Sequence, residues 1–405
     1  MTMSERSVGY TFWILCVVGF FALLSSTMSK NPVLNPFAMS LNAPEALLGF
    51  IAAASTIPGM LVSLPAGSLS DTFGRRRVLL VSGFVFASAP FLYLLVNSWW
   101  QLALVRFLHG FATAMFGPVA NAFVAELFPS KKGERISLFS SATAVGRTLA
   151  PIIGGYILFI TAYDFHELYL AVGLAGVAAF IIMVFFLRDG SGSSEAETKK
   201  ASEGGAKIFQ GWSVVARNPG ILATSLVEAS QYYAFGAVEF FLVGYLKEVA
   251  RLDAFSIGII SGVEIAMIPV SKPAMGALSD RLGRKMLIMA GSVVGAIALI
   301  MFPLTTNFYL ILLASIVYGV GFSMVTSSTP ALVSELTSKE LMGTGLGFLS
   351  TIMDVGQTLG PIVTGLILGV GFGYFGSFTG IAAIISIAAL IFFAVSFTVK
   401  PASPQ

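Results

Sequence analysis

Eight charged side chains interrupt long apolar runs in this chain. Lys30, Arg106, Arg147 and Lys272 are the bases; Glu228, Glu239, Glu264 and Asp354 are the acids. An ionised group far from water is costly, so each of these needs a partner, a water-filled space or a proton. The chemistry open to such a set is ion pairing and the uptake and release of protons. Enzyme signatures are absent. There is no glycine-rich phosphate loop, so ATP-driven work is not expected. His109 and His166 stand far apart and Cys16 is the single cysteine. Neither a metal cluster nor a disulfide within the chain is therefore expected, and no cofactor is. No extended basic surface offers a footing for nucleic acid.

Spacing adds a second constraint. Glu228 and Glu239 are eleven residues apart, which on a helix brings them within about 20° of each other. Gln231, Tyr232 and Phe235 fall on the same stripe. Two carboxylates on one helix face should look onto water or protein rather than lipid. Glu228 falls near the middle of its apolar run and Glu239 nearer the outer end. A carboxyl so placed can take a proton from one side and release it to the other; the plainer alternative is a structural salt bridge. The bases concentrate in the first half of the chain and the acids in the second, apart from Lys272. That asymmetry implies bridges between the halves, or a pocket for a molecule carrying both charges. Lys30 lies in Ser29-Lys30-Asn31-Pro32, where the proline can loosen the first helix. The simpler alternative has Lys30 snorkelling to outer headgroups.

The elements that must hold these residues are membrane helices. Hydrophobic residues make up 56% of 405 positions and charged residues 11%, with a mean hydropathy of +0.88; a soluble domain is roughly a quarter charged. Spans of about 20 apolar residues are expected at 10–39, 46–70, 77–97, 99–127, 134–161, 167–187, 219–248, 254–279, 285–305, 308–335, 340–370 and 373–397. The first run is too long for a cleaved signal peptide and lacks a small-residue cleavage site. Residues 188–217 are the one long hydrophilic stretch. They read as a linker, with a short amphipathic helix at 208–215. The chain thus divides into a six-helix bundle at 1–187, a cytoplasmic linker at 188–217 and a second bundle at 218–405. With the N-terminus inside, seventeen Lys and Arg residues fall on inner segments and two, Lys247 and Arg251, on outer flanks. That bias places both termini in the cytoplasm.

The two halves repeat. Gly67-Ser-Leu-Ser-Asp71-Thr-Phe-Gly74-Arg75-Arg-Arg recurs 209 residues later as Gly276-Ala-Leu-Ser-Asp280-Arg-Leu-Gly283-Arg284-Lys-Met. Glu126 and Glu335 end the fourth and tenth spans at the same offset. The run Gly146-Arg147-Thr-Leu-Ala150-Pro151-Ile-Ile-Gly154-Gly155 recurs, offset by 210, as Gly356-Gln357-Thr-Leu-Gly360-Pro361-Ile-Val-Thr364-Gly365. Such Gly-Pro-Gly runs make helices that kink and pack closely. The doubled pattern G-x-L-[SA]-D-x-x-G-R-[RK]-x resembles the loop between the second and third helices of major facilitator superfamily transporters. The resemblance covers the whole chain apart from the central loop and the tails. Arg106-Phe-Leu-His109-Gly110 resembles the family's fourth-helix signature, with His109 in place of the usual glutamine. The fifth-helix run resembles the signature of the drug:proton antiporter group. It departs at Ala150, where the signature has glycine, and at Ser137, where it has its first glycine.

The resemblance implies an all-α fold with twelve transmembrane helices in two pseudo-symmetric six-helix bundles. Helices 1, 4, 7 and 10 would line a central cavity that opens alternately to each side. It implies that Asp71 faces the positive end of a helix from the other half in one conformation. Gly67, Asp71, Gly74 and Arg75, and their counterparts Gly276, Asp280, Gly283 and Arg284, would then form conformational switch loops. It ties Arg106 to proton coupling, for which Glu228, Glu239, Asp354 and His109 are the other candidates. Lys30, Asn31, Arg147, Gln231, Tyr232 and Phe235 are the candidate cavity residues. The resemblance also packs the fifth helix on the eighth, which brings Arg147 and Glu264 to similar depths, about 20 Å and 15 Å from opposite faces of a core about 30 Å thick. The expectation is an ion pair between the halves; its rival has Arg147 reaching into the cavity for an anionic group. The expected function is proton-coupled export of a small organic molecule by a monomer in the plasma membrane. The alternatives are uptake of a zwitterionic or anionic metabolite, by symport or facilitated diffusion, and a transporter-like sensor without flux.

Overall fold

The computed structural model describes residues 3–187, 215–338 and 341–398. In the first half the helices are α1 (Met3–Met28), α2 (Leu34–Ser40), α3 (Glu45–Ala53), α4 (Ile57–Phe73), α5 (Arg75–Leu92), α6 (Trp99–Leu127), α7 (Lys132–Ile160) and α8 (Phe165–Phe186). In the second they are α9 (Pro219–Glu248), α10 (Ala254–Leu282), α11 (Arg284–Met301), α12 (Phe308–Leu336), α13 (Met342–Ile367) and α14 (Gly373–Thr398). Most of the expected linker, and of the amphipathic helix at 208–215, lies outside the described residues.

Among the described residues, ten stretches are long and apolar enough to cross a membrane. One of them, Met342–Ser396, holds both α13 and α14; α9, which carries Glu228 and Glu239, is not among the ten. Two expected spans are each divided. The first ends at Met28, and after a turn through Lys30 and Pro32 the chain resumes as α2. The second breaks between α3 and α4. Pro58 has no N–H to give and its ring crowds the carbonyl four residues back, and Thr56 instead turns its hydroxyl onto the Ala53 carbonyl at 2.8 Å. Between α13 and α14, Gly371 (φ 95°) and Gly373 (φ 63°) take left-handed backbone that other residues avoid. Helix starts are fixed by polar caps: Asp164, Asn218, Asp253 and Asn307 each accept backbone N–H bonds from the first turn that follows.

The repeat is structural as well as textual. Gly74 and Gly283 turn the chain with φ of 90° and 91°. After them, Arg75 Nε donates to Glu126 at 2.9 Å and Arg284 Nε to Glu335 at 2.5 Å. Arg75 also pairs with Asp71, and Arg284 pairs with Asp280 at 3.0 Å. One residue on, Arg76 Nε donates to the Leu187 carbonyl at 2.6 Å and Lys285 Nζ to that of Ser396 at 2.7 Å. Every partner is displaced by the same 209 residues.

The halves meet along two seams far from these basic turns. On one, a β-carbon on Gly49 of α3 would lie 1.9 Å from the Pro361 carbonyl of α13. On the other, a β-carbon on Gly258 of α10 would lie 2.4 Å from the Pro151 carbonyl of α7. Gly49 and Gly258 are again 209 apart, and Pro151 and Pro361 belong to the doubled fifth-helix run. The small residues let backbone pack on backbone. An apolar cluster joins the halves on the same side, where Leu34, Phe37, Leu48 and Ile51 pack with Phe240, Phe241 and Leu368.

Candidate central cavity

A cavity of about 660 Å³ lies between the halves. Its deep end is closed by Lys30, Ser55, Thr56 and Glu239. It runs past Asn121, Phe139, Ser140 and Met353 toward the side of the Arg75 and Arg284 turns. At the deep end Lys30 Nζ reaches Glu239 Oε1 at 3.7 Å, from the end of the first span to α9. Asn31 is buried beside them and donates its amide to the Glu239 backbone carbonyl at 3.3 Å. Thr56 and Thr358 make a second cross-half contact, hydroxyl to hydroxyl at 3.0 Å. Both bonds need the halves closed on this side.

Arg106 of α6 is 1% exposed yet forms a wall of the cavity. Its guanidinium donates to the hydroxyls of Ser29 and Ser55, not to a carboxylate. Behind it Tyr93 and Tyr169 stack at 4.2 Å, and the Tyr93 hydroxyl meets His109 Nδ1 at 3.3 Å. His109 thus touches the cavity through a hydrogen-bonded ring. Arg147 of α7 is exposed to the cavity, beside Tyr232 of α9. Tyr232, Phe235 and Phe322 form an aromatic wall, with ring centroids 5.1 Å apart for Tyr232–Phe322 and 5.3 Å for Phe235–Phe322. Asp354 and Gln357 of α13 and Lys272 of α10 complete the polar lining.

The likeness of this arrangement to known proteins is extensive. The Major Facilitator Superfamily model matches residues 15–271 and 231–405. The chain belongs to that superfamily. An uncharacterised transporter of this superfamily from Methanocaldococcus jannaschii is 22% identical over 94% of this chain and 92% of its own length. A multidrug resistance protein, MdtG of Dickeya zeae, is 25% identical over 80% of this chain and 78% of its own. Among solved structures, a bacterial homologue of the human lysosomal transporter Spinster, inward-facing and unoccupied, superposes with a TM-score of 0.82. It has 16% identity and covers 98% of this chain and 99% of its own. The chain is therefore a multi-pass membrane protein with the all-α major facilitator fold, and a transporter rather than an enzyme.

In this transporter the expected site residues are only partly gathered. Lys30, Arg106, His109, Arg147, Tyr232, Phe235, Glu239 and Asp354 line the cavity. Asn31 lies behind Glu239. Gln231 is fully buried, its amide turned toward Gly295 of α11. Glu228 is 3% exposed and accepts a 2.5 Å bond from Thr329 of α12, which covers it; Lys272 is the cation that acts on it. Arg147 and Glu264 do not pair in this conformation. Gly258 and Gly262 are the residues of α10 that face α7, and Glu264, two residues past Gly262, points about 200° around. Its backbone abuts Gly319 of α12, and its buried Oε1 finds no partner among the described residues. Asp71 and Asp280 pair within their own halves, at turns remote from the cross-half seams.

Sequence reasoning missed three features. Lys30 and Glu239 are 209 residues apart, so they occupy equivalent places in the two repeats and meet across the pseudo-two-fold. Gln357, aligned with Arg147 in the doubled run, lines the cavity with it, a place that the sequence reading did not give it. The offset alone was a usable signal for both pairs. Phe322 carried none, since phenylalanine is common throughout the chain.

Proposed function

We propose that this transporter exports a small organic molecule in exchange for protons, by alternating access. The observation that carries the reading is a cavity between pseudo-symmetric halves, sealed at one end by the Lys30–Glu239 bridge and open at the other. The basic side is the cytoplasmic one by its excess of Lys and Arg, so the cavity faces inward and both termini are cytoplasmic. The Asp71 and Asp280 turns act as switch loops: their acids, paired here within each half, take helix ends of the opposite half when the basic side closes. Glu239 and Asp354 are the acids a proton reaches directly from the cavity. Glu228 is reached past Lys272, and Arg106 and His109 set the field around them. A proton on Glu239 would cancel its attraction for Lys30 and loosen the far end. The export direction rests on the partial antiporter run and on the similarity to a multidrug resistance protein. The working unit is a monomer in the plasma membrane.

Proteoliposomes with a trapped pH dye test this. An antiporter acidifies the substrate-loaded compartment, because protons enter as substrate leaves; a symporter alkalinises it, because proton and substrate leave together; and a sensor moves neither. Glu228→Gln should abolish the response to an imposed pH gradient while leaving substrate exchange intact; a normal response removes Glu228 from the coupling set. The second reading, uptake of an anionic or zwitterionic metabolite by symport, is favoured by one observation: the cavity wall holds more bases than acids.

A further inference from the structure

We infer that the cargo is an organic anion with an aromatic or otherwise apolar body, held by Arg147 against the Tyr232–Phe235–Phe322 wall. The inference rests on the reading of this cavity as the transport path, and it holds for either direction of transport.

Charge is the first argument. The ionisable groups lining the cavity, besides His109, are Lys30, Arg106, Arg147 and Lys272 against Glu239 and Asp354. Lys30 and Glu239 answer each other at 3.7 Å. Lys272 acts on Glu228 behind the wall. Arg106 is fixed by two serine hydroxyls and carries its charge uncompensated at the deep end. Arg147 is exposed to the cavity; Glu239 acts on it from a distance, but among the described residues no carboxylate lies within pairing distance of it. Asp354 is the one lining acid left, and it forms no ion pair among the described residues. A cation entering here meets an excess of positive charge at close range, whereas an anion gains a partner. An arginine fork suits a carboxylate, sulfonate or phosphate, which it can grip through two parallel N–H bonds.

Shape is the second. Arg147 lies beside Tyr232, and Tyr232, Phe235 and Phe322 are in mutual ring contact. One molecule can therefore set its charged group on Arg147 and its apolar part on the rings. The volume, about 660 Å³, is in the range that encloses a drug-sized ligand. Gln357, the repeat counterpart of Arg147, offers a neutral amide from the other half. The grip is therefore one-sided, and an anion bound by Arg147 is not clamped between two guanidinium groups.

The test is a matched series with one aromatic body: 2-naphthoate, 2-naphthylmethanol and 2-naphthylmethylamine. Binding to the full chain is measured by titration calorimetry in phosphatidylcholine nanodiscs, which keep anionic lipid from competing. 2-Naphthoate should bind at least tenfold more tightly than the alcohol or the amine. Arg147→Gln should erase that preference, Arg147→Lys should keep part of it, and Arg77→Gln on the exposed basic turn should leave it unchanged. Equal or tighter binding of the amine or the alcohol overturns the inference. So does naphthoate binding that ignores Arg147→Gln, or no naphthoate binding at millimolar concentration. Flux of 2-naphthoate in proteoliposomes separates the two readings. Charge-selective binding without flux leaves the anion site at Arg147 standing and defeats the transport reading on which its occupant is called cargo; flux of a cationic substrate with no anion preference does the reverse.

Discussion

Neutralising Glu239 should open the far end of the cavity. Lys30 and Glu239 are 3.7 Å apart, with side chains 27% and 14% exposed. Two unit charges at that distance attract by about 4.5 kcal/mol at an effective dielectric constant of 20. Desolvation and partial screening cancel much of this, leaving a net of about 2 kcal/mol. The pair crosses the halves, so this energy is present only in the state closed at that end. Glu239→Gln removes it and leaves Lys30 facing Arg106 and Arg147 without compensation. A shift of 2 kcal/mol raises the far-open population roughly 30-fold. A reporter Ala46→Cys, placed where α3 touches Gly369, in a Cys16→Ala background, reads that population by its alkylation rate with a membrane-impermeant maleimide. The rate should rise about 30-fold in Glu239→Gln, rise comparably in Lys30→Gln, and rise less than the product of the two in the double variant. An unchanged rate in both single variants, or fully additive effects, would refute the latch.

Other outcomes follow from the same geometry. Asp71→Asn removes a surface partner of Arg75 that Glu126 can replace; melting should hold while turnover slows up to about fivefold, the range for an exposed pair, in flux assays at equal protein. Arg147→Ala and Glu264→Ala should each impair flux independently, because the side chains point to different neighbours. A charge swap that rescues flux would instead establish their pairing in another state of the cycle. Asp253 caps α10 outside the membrane. Partial burial pushes its carboxyl up, but bonds from the Ser256 hydroxyl and from the Ser256 and Phe255 amides outweigh it and hold the group below its ordinary value of 3.8. Its contribution should therefore be complete above about pH 4 and fade as the pH falls further. Asp253→Ala should cost about 1 kcal/mol at neutral pH and lose its effect in acid, as read by melting temperature at both pH values.

The twelve apolar runs, the doubled turns and the eight intramembrane charges could be read before any coordinates, because hydrophobic length and repetition are properties of the chain itself. Helix depth was also legible. Azimuth was less so. Arg147 and Glu264 do reach adjacent helices at similar depth, but the glycines at 258 and 262 decide which face of α10 meets α7, and Glu264 is turned away from it. Glu228 shares its helical direction with Glu239 yet is covered by Thr329 of another helix. Gln231, one residue before Tyr232, falls off the edge of the wetted face. The break at residues 54–56 was hidden by unbroken hydropathy, although Pro58 stood there to cause it. The pairing of Lys30 with Glu239 needed the knowledge that equivalent residues of two repeats meet at their symmetry axis.

The glycine seams carry a consequence for handling the protein. At Gly49 and Gly258 one added methyl group would collide with an opposing main-chain carbonyl while the far side is shut. Once the halves part, the same methyl stands in free space. An alanine at either position is thus a steric wedge, a bias on orientation that changes no charge, no cavity residue and no candidate proton carrier. It separates two questions that a wild-type transporter always answers together: what the molecule binds, and which way it faces when it does so.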